Sequence, residues 1–309
     1  MLTRDQLQGL WVSVLNPWDE GGGFDEKSFR DEIAMLLDAH PHGLYTTGST
    51  GEFYALDWDE FTRLVDTFVA EAAGKIPIQV GANWFNTRDT IRRTRYARDR
   101  GVDGVQICFP PWMEMRVEDN DQFLEDVYRA VPDIALIHYN VGRARRIFHG
   151  RDYARVCPRV PSLIGTKAAG MPMHDVVELV LNAPDLNHFV GELLFGLAHQ
   201  VGASGMYTSL FMMNPDFFHD YYSLCVEGRY AEAVRLSMRL AGWFDVAVRP
   251  LIEKGYMDPS LDKAFVEIGG WLPVHRRTRR PYPPVTETEM AELRRATHEL
   301  MPELVSYKP

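Results

Sequence analysis

The chain has only three cysteines in 309 residues. Cys108, Cys157 and Cys225 stand far apart with no C-x-x-C pair, which argues against a disulfide framework or a thiolate zinc site and leaves each as a small core residue. Positive charge is also short: 33 Lys and Arg face 43 Asp and Glu, a net charge of −10. A phosphate-backbone partner requires clustered cations, so no nucleic acid is expected. No apolar run approaches the length that spans a bilayer, and Met1-Leu2-Thr3-Arg4-Asp5 holds no hydrophobic signal segment. The expectation is a cytoplasmic protein with no membrane partner. There is no G-x-S-x-G elbow and no glycine fingerprint after the first apolar run, which removes the commonest serine-hydrolase and dinucleotide signatures.

What is present is a repeated alternation of short apolar runs and helical patterns. Gly9–Leu15, Gly43–Thr47, Ile76–Ala82, Gly104–Phe109, Ile134–Tyr139, Leu163–Lys167, Asn187–Val190 and Ser204–Thr208 read as strands. Helical patterns fall between them, at Phe29–His40, Asp57–Ala73, Asn86–Arg100, Glu118–Val131 and near Asp152. Mostly continuous apolar strands, each followed by a helix, imply a parallel sheet covered on its outside. Eight of them imply a closed (β/α)8 TIM barrel over residues 1–227. From Gly228 the pattern is helical only (Tyr230–Glu253, Asp258–Gly269, Glu287–Leu304), a C-terminal helical extension over residues 228–309. Its basic run His275-Arg276-Arg277-Thr278-Arg279-Arg280 reads as a solvated face or a subunit contact.

In such a barrel the working residues sit at the carboxyl ends of the strands. The sixth strand runs into Gly165-Thr166-Lys167-Ala168-Ala169-Gly170, which would carry one lysine from a buried strand into a pocket. Lost hydration lowers an ammonium's pKa and leaves the neutral amine that attacks a ketone, the requirement for a Schiff-base lysine. Lysines also end strands as solvated caps, so the neighbours decide. The second strand ends in Gly48-Ser49-Thr50-Gly51-Glu52, where hydroxyls and backbone N–H groups could hold a small carboxylate. The alternative use of Ser49 and Thr50, as a helix N-cap, is better filled by Asp57. The fifth strand ends in Tyr139-Asn140, a phenol that could shuttle protons. Amine, phenol and anion cradle would share one mouth. His40-Pro41-His42, the one close histidine pair, lies at the opposite end, and no metal site is expected.

These residues resemble the dihydrodipicolinate synthase and N-acetylneuraminate lyase superfamily of pyruvate-dependent class I aldolases. The similarity covers nearly the whole chain: the G-[ST]-T-G-E loop at residues 48–52, the Y-N-x turn at Tyr139-Asn140-Val141, the G-x-K end at Gly165-Thr166-Lys167, the G-x-x-G at residues 202–205 and the R-P segment at Arg280-Pro281. The resemblance implies that Lys167 forms an imine with pyruvate, Tyr139 moves protons, Ser49 relays them, and Thr50 with the Gly51 loop holds the pyruvate carboxylate. Asn140 and Arg143 would then meet the second substrate, Gly191 would line the pocket as a close-approach position, and Glu52 would have a structural role. The imine is the electron sink, so no cofactor is required. A homotetramer or homodimer is implied as well.

The departures bear on the subfamily. The loop after the fourth strand, Phe109-Pro110-Pro111-Trp112-Met113, has no tyrosine for the relay between subunits and looks more like the hydratase-aldolases that release pyruvate and an aromatic aldehyde. Asn86-Thr87-Arg88-Asp89-Thr90 is similar to that group too. Trp112 would then cover an aromatic acceptor, or pack at a subunit contact. The turn after Tyr139-Asn140 has Gly142 where proline is usual, and Arg143 would bind a carboxylate on the second substrate or face solvent. The resulting expectation is a Schiff-base lyase or aldolase acting with pyruvate, of the hydratase-aldolase type. A synthase, a sugar-acid lyase or dehydratase, and a non-catalytic keto-acid-binding protein are the alternatives.

Overall fold

The computed structural model describes all residues, 1–309. Eight parallel strands close into a barrel in chain order: β1 Gly9–Ser13, β2 Gly43–Thr46, β3 Ile78–Gly81, β4 Gly104–Ile107, β5 Ala135–Tyr139, β6 Leu163–Lys167, β7 Asn187–Val190 and β8 Gly205–Thr208, with β8 pairing back onto β1. The (β/α)8 expectation holds, with strands one or two residues shorter at some ends. The strands are buried on both faces, which is why they read as continuous apolar runs.

Two cores account for that burial. Inside the barrel, Leu7, Trp11, Tyr45, Ile137, Phe189 and Tyr207 pack on one another. Outside, a far larger apolar layer joins the strands to the helices. The helices are α1 Glu26–Asp38, α2 Trp58–Ala72, α3 Thr87–Asp99, α4 Val117–Ala130, α5 Gly150–Val156, α6 Met173–Asn182, the single turn α7 Phe195–Ala198, and α8 Pro215–Val226. Their starts follow local chemistry. Asp57 caps α2 in a reciprocal box with Glu60, and Asn86 accepts the Asp89 amide to open α3.

Beyond α8 come α9 Tyr230–Trp243, a π-helical turn Phe244–Val248, α10 Arg249–Glu253, α11 Asp258–Gly269 and α12 Glu287–Leu300. The pattern predicts one helix over Tyr230–Glu253; the π turn divides it and brings Phe244 and Val248 to the barrel mouth. α12 stops short of the predicted Leu304 because Pro302 pushes Met301 out of the helical conformation.

α11 lies over the carboxyl ends of the strands and is tied down by charge. Lys263 donates to the Glu52 carboxylate at 2.6 Å, with both side chains fully buried. The basic segment before α12 is more than a solvated face, because its arginines are paired within the chain. Arg276 pairs with Glu267 and Glu287, while Arg279 pairs with Glu60, donates to the Gly22 and Ala55 carbonyls, and stacks 3.8 Å over Trp18. Its cations lock the C-terminal helices onto the barrel.

Candidate active site

Lys167 ends β6 in register with Tyr139 of β5 and Phe189 of β7, so lysine and tyrosine point from adjacent strands at one level. The lysine is 8% exposed. Its Nζ donates to the Tyr45 hydroxyl at 3.1 Å and lies 4.5 Å from the ring centres of Tyr45 and Tyr139 and 5.0 Å from that of Tyr207. No carboxylate pairs with it. Burial pushes the amine down to about 8, against the opposing pull of Asp258, Asp262 and Glu192. The aromatic faces favour the ammonium, but they do not replace its lost hydration.

Tyr139 is 5% exposed, and burial raises its phenol to about 12, with Asp258 adding to the rise. It therefore stands as a neutral donor. The Ser49 hydroxyl donates to it at 3.5 Å, the outer limit of a hydrogen bond. The β2 loop that carries Ser49 is folded hard on itself: a Cβ at Gly51 would lie 2.6 Å from the Thr47 nitrogen, and the Gly51 carbonyl accepts from the Asn16 amide. The backbone N–H groups of Ser49, Thr50 and Gly51 are matched to no protein acceptor. The Glu52 carboxylate accepts from the Trp18 indole at 2.8 Å, from Lys263, and from the Arg279 amide at 2.9 Å.

Lys167, Tyr139, Tyr45, Tyr207 and Thr50 line a cavity of about 340 Å³. Its polar lining includes Thr50, Tyr139, Lys167, Asp258 and Asp262; its apolar lining includes Leu193, Leu194, Phe244, Val248, Ile252 and Phe265. Gly191 lines it as expected, although a Cβ there would meet open space rather than a close neighbour. A second cavity of about 200 Å³, containing Ser49, Phe53, Tyr54, Phe85 and Arg143, meets the first at Tyr139.

Four expectations are corrected by the geometry. Asn140 does not face an acceptor: its amide nitrogen donates to the Phe148 carbonyl at 2.7 Å, and its oxygen accepts the Phe148 N–H at 2.9 Å, so it ties down the β5 turn. Trp112 is 74% exposed and lines neither cavity, because its loop turns outward after Pro111. Arg143 is not free for a substrate carboxylate; both its terminal nitrogens donate to Asp258, at 2.8 and 2.7 Å. The Thr50 hydroxyl is not free either, donating to Asp262 at 2.7 Å.

Asp258 and Asp262, Tyr45 and Tyr207, and Glu192 are the site residues that sequence reasoning missed. The two aspartates stand four apart on α11, whose residues are mostly buried. Acids at i and i+4 on such a helix are the signal that could have found them. Tyr45 and Tyr207 sit in apolar strand runs and pass as core; Tyr207 donates to Gln79 at 2.7 Å. Glu192 accepts from the Thr208 hydroxyl at 2.9 Å, and burial raises its carboxyl. No cluster of three or more His, Cys, Asp or Glu is arranged to hold a metal, and no helix is long and apolar enough to cross a membrane.

A closed parallel barrel with a buried, unpaired lysine at the end of β6 and a neutral phenol beside it defines a class of barrel built for amine chemistry at the strand ends. The profile of the dihydrodipicolinate synthetase family matches residues 6–300, and the chain belongs to that family. A trans-O-hydroxybenzylidenepyruvate hydratase-aldolase of Pseudomonas aeruginosa is 29% identical over 182 residues, 57% of this chain and 54% of that protein. The match thus spans about half the length of that relative. A 4-hydroxy-tetrahydrodipicolinate synthase of Syntrophobacter fumaroxidans is 27% identical over 238 residues, 76% of this chain and 80% of the other. Among solved structures, a sialic acid aldolase of Ruminococcus gnavus superposes with a TM-score of 0.86 at 18% identity, covering 98% of both chains.

Proposed function

We propose that the protein is a class I lyase that forms an imine between Lys167 and a 2-keto acid and cleaves or forms a C–C bond next to it, releasing or consuming pyruvate. The observation that carries this is Lys167 itself, a buried amine with no carboxylate partner and a pKa near 8, in a cavity that also holds a neutral Tyr139. The amine adds to the keto carbon and water leaves, giving an iminium. On an arylidene pyruvate, water first adds across the C=C bond conjugated with the iminium and supplies a hydroxyl two carbons away; loss of that hydroxyl's proton then breaks the C–C bond, and the electron pair enters the enamine as an aldehyde departs. Protonation of the enamine and addition of water to the iminium return pyruvate and the free lysine. Tyr139 carries these protons, with Ser49 behind it.

Two observations support a neutral, apolar aldehyde and hence the hydratase-aldolase reading over a dihydrodipicolinate-type synthase. Arg143 is neutralised by Asp258, so no free guanidinium awaits an acceptor carboxylate. Much of the cavity's lining is leucine, valine, isoleucine and phenylalanine, which suits an aromatic ring. The name carried by the Pseudomonas aeruginosa relative agrees with this choice.

The domain division at residue 227 belongs to the same proposal, supported by the absence of any strand beyond β8, while the helical part contributes Asp258 and Asp262 to the site. Assembly into homodimers or homotetramers is supported by Phe85, Trp112 and Met113, which are 46%, 74% and 73% exposed on neighbouring loops. Three free cysteines suit a reducing, cytoplasmic location.

The test is pyruvate release, followed with a coupled dehydrogenase, from a panel of arylidene pyruvates, sugar-derived 2-keto acids and aliphatic 4-hydroxy-2-keto acids. Arylidene pyruvates ranking first is the expected result. Preference for a carboxylate-bearing acceptor would return the synthase reading. Tight keto-acid binding without turnover of any substrate would make the protein a binder.

A further inference from the structure

The Thr50 hydroxyl, expected to hold the substrate carboxylate, already donates its one proton to Oδ2 of Asp262, a side chain only 6% exposed. A 2-keto acid whose carboxylate reached Thr50, the residue of that loop that lines the Lys167 cavity and whose amide is unmatched, would lie against that aspartate. Two carboxylates at hydrogen-bond distance do not both stay ionised.

Once Lys167 is neutral, nothing nearby cancels the second charge. Asp258 on the same helix and Glu192 after β7 add negative potential. Arg143, from the β5 turn, is bound to Asp258. Lys167 at the end of β6 has to be neutral to attack, and Tyr45 of β2 is a neutral phenol raised further by burial.

We propose that Asp262 is a substrate-binding residue that shares one proton with the carboxylate of the bound 2-keto acid, so that acid and proton bind together. Burial and the neighbouring Asp258 already raise the free carboxyl to about 7, with the Ser209 and Thr50 hydroxyls opposing the rise. The empty site is therefore poised to take up the proton at neutral pH. Removing the charge from residue 262 removes the coupling.

The proposal rests on the imine reading for the placement of the keto acid, and its test is separable from that reading. The probe is oxamate, a pyruvate isostere whose amide carbonyl does not condense with an amine. Between pH 7.5 and 9, its Kd for the wild type is expected to rise about tenfold per pH unit, the slope of one coupled proton. Asp262→Asn keeps an acceptor for Thr50 and is expected to lower the slope by about one proton, leaving whatever dependence Lys167 contributes as it titrates at about 8. Calorimetry in two buffers of different ionisation enthalpy should show about one proton more taken up by the wild type than by the variant. Equal uptake would assign the proton to Lys167 and overturn the proposal. Should the variant not fold, the wild-type infrared difference spectrum decides: a protonated side-chain carboxyl band appearing with oxamate supports the proposal, and its absence overturns it. Failure of pyruvate to be trapped on Lys167 by borohydride would instead overturn the imine reading; trapping with equal slopes would remove Asp262 alone.

Discussion

Two lysines are buried at the mouth of this barrel, and they have opposite surroundings. Lys263 is fully buried with Glu52 at 2.6 Å and the Arg277 carbonyl also within hydrogen-bond reach at 2.6 Å. Lys167 is 8% exposed, with only a phenol at hydrogen-bond distance and three aromatic faces around it. Burial lowers both amines, but Glu52 pulls Lys263 back towards the charged form. A buried lysine beside its own carboxylate is a strut; one without it is a nucleophile in waiting. The barrel needs both, because the strut holds α11, and α11 supplies Asp258 and Asp262 to the nucleophile's pocket.

That contrast is broken most completely by Lys167→Ala, which should abolish turnover to the limit of detection while the thermal midpoint stays level or rises, since an unpaired buried amine has been removed. A folded variant retaining turnover would remove Lys167 from the chemistry. Tyr139→Phe should lower kcat by roughly 10²–10⁴-fold, the usual worth of a positioned proton donor, with little change in the midpoint. On the other lysine's side, Glu52→Gln should destabilise the fold by about 3–5 kcal/mol by stranding the Lys263 ammonium, as read by denaturant unfolding. Combining it with Lys263→Met should recover much of that loss, whereas no recovery would mean that Glu52 acts through Trp18 and Arg279 instead. Asp258→Asn sharpens the comparison within the site. It frees Arg143, and the KM of a carboxylate-bearing aldehyde should fall about tenfold, the worth of one charge-assisted hydrogen bond. Stability should change by about 1 kcal/mol or less, because the pair is partly exposed.

The pieces legible from sequence were those written in one local stretch. The β2 loop, the end of β5 and the end of β6 each place their chemistry at a strand terminus, and strand order then brings them together. Asp258 and Asp262 were not legible in that way. They follow β6 by some 90 residues, and an aspartate at the start of a helix reads as a first-turn acid. Only the docking of α11 makes them site residues. Asn140 shows the reverse error: an amide beside the Tyr139 phenol suggests a substrate contact, but the chain returns to it at Phe148 and uses both its ends. Trp112 was assigned from its loop's composition, whereas the direction of the loop, set after Pro111, places the indole outside the cavities.

The central claim, that the unpaired lysine and not the paired one carries the chemistry, is tested most directly by incubating the protein with pyruvate and borohydride and mapping the adduct by mass. A single adduct on Lys167, rising in yield as pH passes through about 8 and the neutral amine accumulates, with Lys263 unmodified, is the result predicted. An adduct on Lys263, or none on a folded protein, would contradict it.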